Sequence, residues 1–153
     1  MNAHVAPERI RLNFDARCKS RLLVRLEGGG QAALIVERGR VLRGGDRLRL
    51  EDGREIEIVA ADESLLEARS DDALLIAKAA YHLGNRHVAV QLLNGRLRFL
   101  ADHVLGEMVK GLGLNVSTLL APFEPEGGAY GQHHAHGSEM PLARPKIHEF
   151  SSP

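Results

Sequence analysis

Apolar and polar residues alternate along the first part of the chain, from residue 9 to about residue 60. One clear example is the apolar set Leu22, Val24 and Leu26, which shares a single face if the segment is extended. Gly-rich segments interrupt the alternation, and no helical period is present. The pattern predicts a small all-β domain over residues 1–61, built from short antiparallel strands.

One hairpin in this domain can be given a register. Asp52-Gly53 is a turn sequence between two alternating runs. A three-residue loop at this point pairs Leu50 with Ile56 and Leu48 with Ile58, which places the apolar side chains on one face. We therefore predict that register for the hairpin.

From residue 62 onward, strand-like and helix-like periods follow each other. The predicted order is strand, helix, strand, strand, helix, strand, over residues 64–69, 73–82, 87–93, 96–100, 102–112 and 116–120. This order is that of the ferredoxin-like βαββαβ pattern. We therefore predict an α+β protein, with a ferredoxin-like domain over residues 62–126 after the all-β domain.

The second half also contains turn and cap signals. Asn94-Gly95 favours a type I′ hairpin that pairs Leu92 with Leu97 and Val90 with Phe99. Gly84-Asn85 is predicted to end the first helix, and Asp102 is predicted to cap the second. An apolar stripe is expected on the second helix, formed by Val104, Leu105, Met108, Val109 and Leu112.

Residues 127–153 are rich in Gly, His, Ser and Pro. Such a composition offers little apolar surface to bury, so this segment is predicted to be a flexible tail.

Composition narrows the possible functions. The chain has 153 residues and a formal net charge of zero, so it lacks the basic excess typical of nucleic-acid binding. Cys18 is the only cysteine, which is typical of a reducing compartment. No apolar run approaches the roughly 20 residues that span a bilayer. We expect a soluble, cytoplasmic protein with no nucleic-acid or membrane partner.

The tail contains the first candidate metal ligands, His133, His134 and His136. Imidazoles so close together can share a soft or borderline cation such as nickel, copper or zinc. Ligands on a flexible chain favour transport of the ion over catalysis. The alternative is a solvated tail in which these histidines have no ligand role.

His103 is the second candidate. It lies in the first turn of the predicted second helix, opposite the centre of the apolar stripe, and should face outward. One exposed imidazole is a weak site, but two copies related by a two-fold axis could bind one ion together. The alternative is an ordinary surface histidine.

Other polar residues favour structural roles. His82 and His87 flank the end of the first helix, where polar groups commonly satisfy free carbonyl groups. Cys18 has no second cysteine for a redox motif, and Glu124 and Glu126 lack the burial that acid–base catalysis needs. Nucleophile, zinc-protease, phosphate-loop and dinucleotide motifs are absent from the sequence. We therefore predict that the protein is not an enzyme.

Several short segments together resemble the UreE family of urease accessory proteins. In the second half they are residues 81–87, 102–105 and 123–130, and in the first half they are residues 38–46 and 60–63. Each segment alone is weak, but their order and spacing are specific, and the resemblance covers nearly the whole chain.

The resemblance implies a homodimeric nickel-binding chaperone for urease maturation, with a partner-binding β domain and a dimerising ferredoxin-like domain. It implies a nickel ligand at the dimer interface, matching His103, and further tail ligands, matching His133, His134 and His136. Zinc or copper could compete at such ligands. The implied partners are the urease accessory GTPase and the apo-urease assembly complex.

Two other functions compete with this one. A small zinc hydrolase would need three fixed ligands and a general base, which the sequence does not offer. A metal-independent adaptor, in which the β domain docks a protein and the histidines are incidental, remains as the alternative.

Overall fold

A computed structural model describes residues 6–26 and 28–128. They form two compact units that meet in sequence at Ala60 and Ala61. The elements, in chain order, are β1 (Glu8–Leu12), α1 (Phe14–Arg17), β2 (Arg21–Arg25), β3 (Gln31–Ile35), β4 (Arg47–Arg49), β5 (Glu55–Ala60), β6 (Asp62–Arg69), α2 (Ala73–Asn85), β7 (Gln91–Leu93), β8 (Arg96–Leu100), α3 (His103–Gly111) and β9 (Asn115–Pro122). Within these described ranges, every helix is too short or too polar to cross a bilayer.

The first unit contains a three-stranded sheet, in the order β1-β5-β4, and the antiparallel hairpin of β2 and β3. Apolar residues from both sheets form one core, because the alternation of each strand directs one face inward. Ile10, Val24, Leu34 and Ile58 are buried members of this core. The predicted strand character is therefore confirmed for β1 to β5.

Strand direction in this unit was predicted only in part. β1 runs parallel to β5, with Ile10 paired to Ile58, whereas all strands were expected to be antiparallel. Alternation has the same period in both arrangements, so it identifies a strand without giving the direction of its partner.

A short helix, α1, was missed in the predicted all-β domain. Asn13 caps it, with its side chain accepting a hydrogen bond from the N–H of Ala16 at 2.9 Å. Arg17 at its end is fully buried, and its guanidinium donates to the carbonyls of Leu12 and Leu42, each at 3.2 Å. One helical turn is too short to produce a periodic signal, and a buried arginine breaks the apolar pattern.

The predicted register at Asp52-Gly53 was wrong by two residues. The structure pairs Leu48 with Ile56, and the N–H of Leu50 donates to the carbonyl of Arg54 at 2.8 Å. A slip of two residues keeps every side chain on its original face, so burial alone could not distinguish the two registers.

The second unit has the predicted ferredoxin-like arrangement. Its sheet has the order β7-β8-β6-β9, and each neighbouring pair is antiparallel. Residues of α2 and α3, including Ala79, Leu83 and Val109, pack with Leu97 and Phe99 on one face of this sheet. The α+β class is therefore confirmed.

The end of α2 and the start of β7 differ from the prediction. The helix continues to Asn85, and His87 adopts a positive φ of 56° after it. The N–H groups of His87 and Val88 donate to the carbonyls of Gly84 and Leu83, at 3.0 and 3.1 Å. Because the N–H groups of residues 87–88 bond to the last carbonyls of the helix, the strand begins only at Gln91.

The Asn94-Gly95 hairpin is confirmed in its first pair, Leu92 with Leu97, but Val90 does not pair with Phe99. The carbonyl of Val90 instead accepts a hydrogen bond from the N–H of Glu126 at 2.8 Å. The segment after β9 therefore bonds to Val90, where the longer hairpin would have placed Phe99. The predicted type I′ turn was wrong, because Gly95 has a positive φ of 68° and Asn94 does not.

Candidate functional site

His103 is the first residue of α3 and is exposed, as its helical position predicted. Asp102 caps the helix, since its carboxylate accepts a hydrogen bond from the N–H of Leu105 at 2.9 Å. A Cβ placed on Gly106 would lie 2.9 Å from Cδ1 of Leu66, so the next turn approaches the sheet closely. The cap and this close approach fix the backbone that carries the imidazole.

Exposed apolar side chains lie at the same end of this unit. The N–H of Ala101 donates to the carbonyl of Ser64 at 3.0 Å, and Ser64 is paired with Leu120 on β9. Leu120 and Val104 are each 74% exposed. We call the surface of His103, Val104 and Leu120 the His103 end.

Val104, which the sequence places on the apolar stripe of α3, is exposed. The apolar contacts of the helix with its core begin at Leu105 and continue through Met108, Val109 and Leu112. The first two residues of the helix, His103 and Val104, lie outside this cluster and remain in solvent.

A cavity of about 360 Å³ adjoins His103 between α3, β6 and β9. His103, Glu107 and Lys110 line it from the helix, while Leu66 and Thr118 line it from the sheet. Lys110 Nζ lies 2.9 Å from the Glu107 carboxylate. The hydrogen bond and the charge of Lys110 lower the pKa of Glu107, and His103 adds a smaller effect in the same direction.

The other predicted ligands, His133, His134 and His136, lie outside the described residues, as does the predicted flexible tail from residue 129 onward. Within residues 6–26 and 28–128, no group of three or more His, Cys, Asp or Glu side chains could hold a metal ion. Sequence reasoning did not select Glu107, although its spacing of four residues from His103 places both side chains on one helix face.

The remaining candidates have local contacts. The ring of His82 meets Tyr81 edge to face, at 5.4 Å between centroids, and the N–H of His87 caps α2. Cys18 is exposed, yet partial burial of its thiol raises the pKa more than the charge of Arg17 lowers it. Its reactive thiolate form is therefore disfavoured.

Comparison with known proteins identifies the family. The family model of the UreE urease accessory protein C-terminal domain matches residues 63–150, and that of the N-terminal domain matches residues 2–61. The urease accessory protein UreE of Dechloromonas aromatica is 51% identical over 162 aligned positions, which cover 95% of this chain and 93% of that protein.

Two further relatives are longer than this chain. The urease accessory proteins UreE of Burkholderia lata and Burkholderia vietnamiensis are each 48% identical over 132 positions, covering 86% of this chain but 64% and 66% of their own lengths. Since two family models together match almost every residue, the chain belongs to the UreE family of urease accessory proteins and is an accessory protein in urease maturation, not an enzyme.

Proposed function

We propose that the chain is a homodimeric nickel carrier, which holds nickel as cargo between two copies of His103 and delivers it for urease maturation. The tail residues His133, His134 and His136 would supply further imidazoles that take part in ligand exchange. Zinc and copper would compete, because imidazole nitrogen binds all three ions. We expect the carrier to act in the cytoplasm.

The observation that carries this proposal is that His103 is exposed at the same end of the unit as the exposed apolar side chains of Val104 and Leu120. Exposed apolar residues that lie together commonly mark a contact surface. A two-fold contact through the His103 end would bring one imidazole from each protomer to the axis. Such a contact would supply the second imidazole ligand that a single exposed histidine lacks.

Replacement of His103 by Ala tests the nickel site. We expect calorimetry to record a loss of nickel affinity of at least about tenfold, as for removal of groups that support a metal site. His82→Gln is the matched control, because it removes a histidine of the same unit that lies on α2 and does not line the cavity beside His103. Equal nickel affinity in wild type and His103→Ala would contradict the proposed site.

Replacement of Leu120 by Asp tests the dimer. A charge on the apolar His103 end should separate the protomers, which light scattering after gel filtration would record as half the mass. Leu92→Asp, on the hairpin at the other edge of the sheet, should leave the mass unchanged. A Leu120→Asp protein that keeps the wild-type mass would remove this surface as the dimer contact.

The hairpin of β2 and β3 supports a role of the first unit in partner binding. Its outer face carries Leu23, which is 61% exposed, together with Ile35. Arg21 is paired with Ile35, and Arg25 lies two residues beyond Leu23 on the same face. An apolar centre between arginines suits a partner segment with apolar and acidic side chains, since the charges are complementary.

The expected partner is the urease accessory GTPase, which would dock on this hairpin and accept nickel with the apo-urease assembly complex. Leu23→Glu combined with Arg25→Glu should weaken its binding, measured by biolayer interferometry, by about tenfold or more. Leu74→Glu, on the exposed side of α2, is the control. Unchanged GTPase binding by the double variant would exclude this face.

The alternative function is a metal-independent adaptor, and the same exposed hairpin favours it. The two functions differ in nickel retention. Equilibrium dialysis of the full chain against nickel should leave bound metal on a carrier and none on an adaptor. A protein that retains no nickel after dialysis but still binds the GTPase would establish the adaptor function.

A further inference from the structure

Glu107 lies one helical turn after His103, on the same side of α3. Both side chains line the cavity of about 360 Å³, and both are exposed. Side chains four residues apart on a helix have Cβ atoms about 5–6 Å apart, so the imidazole and the carboxylate can reach the same ion. An ion beside His103 would therefore meet this carboxylate on the same protomer.

The chemistry of the pair suits a borderline divalent cation. Imidazole nitrogen and carboxylate oxygen are both ligands for such ions, and a carboxylate adds a negative charge that an imidazole lacks. A second protomer would contribute the same pair, so a two-fold contact would assemble two nitrogens and two oxygens. Neither residue alone offers that set.

Lys110 already pairs with this carboxylate and lines the same cavity. Its ammonium lies 2.9 Å from Glu107, and both side chains are about half exposed, at 53% and 55%. A bridge this exposed contributes little to stability, so exchanging it for a metal costs little. The ammonium can swing into solvent when a cation replaces it at the carboxylate.

We infer that Glu107 is an additional nickel ligand beside His103, and that Lys110 is a counter-ion that competes with nickel for its carboxylate. The inference rests on the proposed nickel site at His103. It assigns opposite effects to two neighbouring side chains: loss of Glu107 weakens nickel binding, whereas loss of Lys110 strengthens it.

The experiment uses full-length chains in which His133, His134 and His136 are replaced by Ala, so that the tail imidazoles do not obscure the result. Nickel is titrated into this parent, and into its Glu107→Gln and Lys110→Gln forms, by calorimetry. We expect Glu107→Gln to weaken binding about tenfold or more, as for other groups supporting a metal site. Lys110→Gln should strengthen it by about twofold to fivefold, the size expected for an exposed charge pair.

Asp71→Asn is the matched control, because it removes an exposed carboxylate from the same unit without changing this cavity. It should leave nickel affinity within about twofold of the parent. A parent that binds nickel equally well with Glu107→Gln would overturn the inference and leave the His103 site standing. A parent that binds no nickel would overturn the inference together with the fixed site at His103.

Discussion

The most enclosed carboxylate in the described part of the chain is Glu67, on the face of the second sheet opposite the helices. Its side chain is 3% exposed and meets three arginines. Arg69 donates to one oxygen, and Arg98 donates to the other at 2.7 Å. Burial alone would raise the pKa of Glu67, but the hydrogen bonds from Arg98 and Arg69 outweigh it and lower the pKa.

Glu67→Gln should destabilise the second unit at neutral pH by about 2 kcal/mol, because it removes the charge from the hydrogen bonds that Arg69 and Arg98 donate. A lowered folded pKa means that the carboxylate stabilises the fold above its unfolded pKa, about 4.3, and that this stability is lost as pH falls through the folded value. Urea unfolding from pH 7 to pH 3 should therefore show a smaller loss of stability in the variant.

Glu55→Gln is the control for this prediction. Glu55 pairs with Arg49 at 3.1 Å but is 36% exposed, so its loss should cost less than about 1 kcal/mol. Each loss is measured against the wild type, for the transition of the unit that carries the substitution. Equal losses of unfolding free energy would contradict the prediction that the enclosed position of Glu67 makes its contacts more stabilising.

At the scale of single elements, the end of α3 gives a matched pair of glycines. Gly111 is the last helical residue and has open space where a Cβ would lie, whereas Gly113 has a φ of 105°. Replacement of Gly113 by Ala should cost about 1–2 kcal/mol, since a side chain disfavours that backbone. Gly111→Ala should be neutral or stabilising by up to about 1 kcal/mol.

Thermal unfolding of the two alanine variants measures this difference directly. Gly113→Ala should melt at a lower temperature than Gly111→Ala. The reverse order would show that the backbone conformation after α3 adapts to a side chain at no cost.

How far the elements could be predicted depends on their length and on their contacts. β2 and α3 each carry several apolar residues at one period, so the sequence alone locates them. The turn of α1 and the parallel direction of β1 depend on contacts with distant residues, which no local pattern encodes. The exposure of His103 followed from its helical position, whereas the exposure of Val104 required the packed helix. The spacing between His103 and Glu107 is visible in the sequence, but it gained meaning only when both residues were found to line one cavity.

At the scale of the whole molecule, each unit has its own buried apolar cluster, one around Ile56 and one around Phe99. We therefore expect separate fragments of residues 1–60 and 61–153 to fold. The first should be the less stable, since a domain of about 60 residues buries only about 60% of its unfolded surface.

Circular dichroism during heating tests this expectation on each fragment. Both should give a cooperative transition, with a lower midpoint for residues 1–60. A fragment of residues 61–153 that melts without cooperativity would show that its cluster is insufficient by itself.

In both units, the strand that is synthesised first lies beside the strand that is synthesised last: β1 beside β5, and β6 beside β9. A nascent chain can therefore complete neither sheet until the final strand has left the ribosome. At about 5–20 residues per second, the N-terminal sheet gains a lead of roughly 3–12 seconds over the other. During that interval the unfinished ferredoxin-like half is exposed to chaperones and proteases.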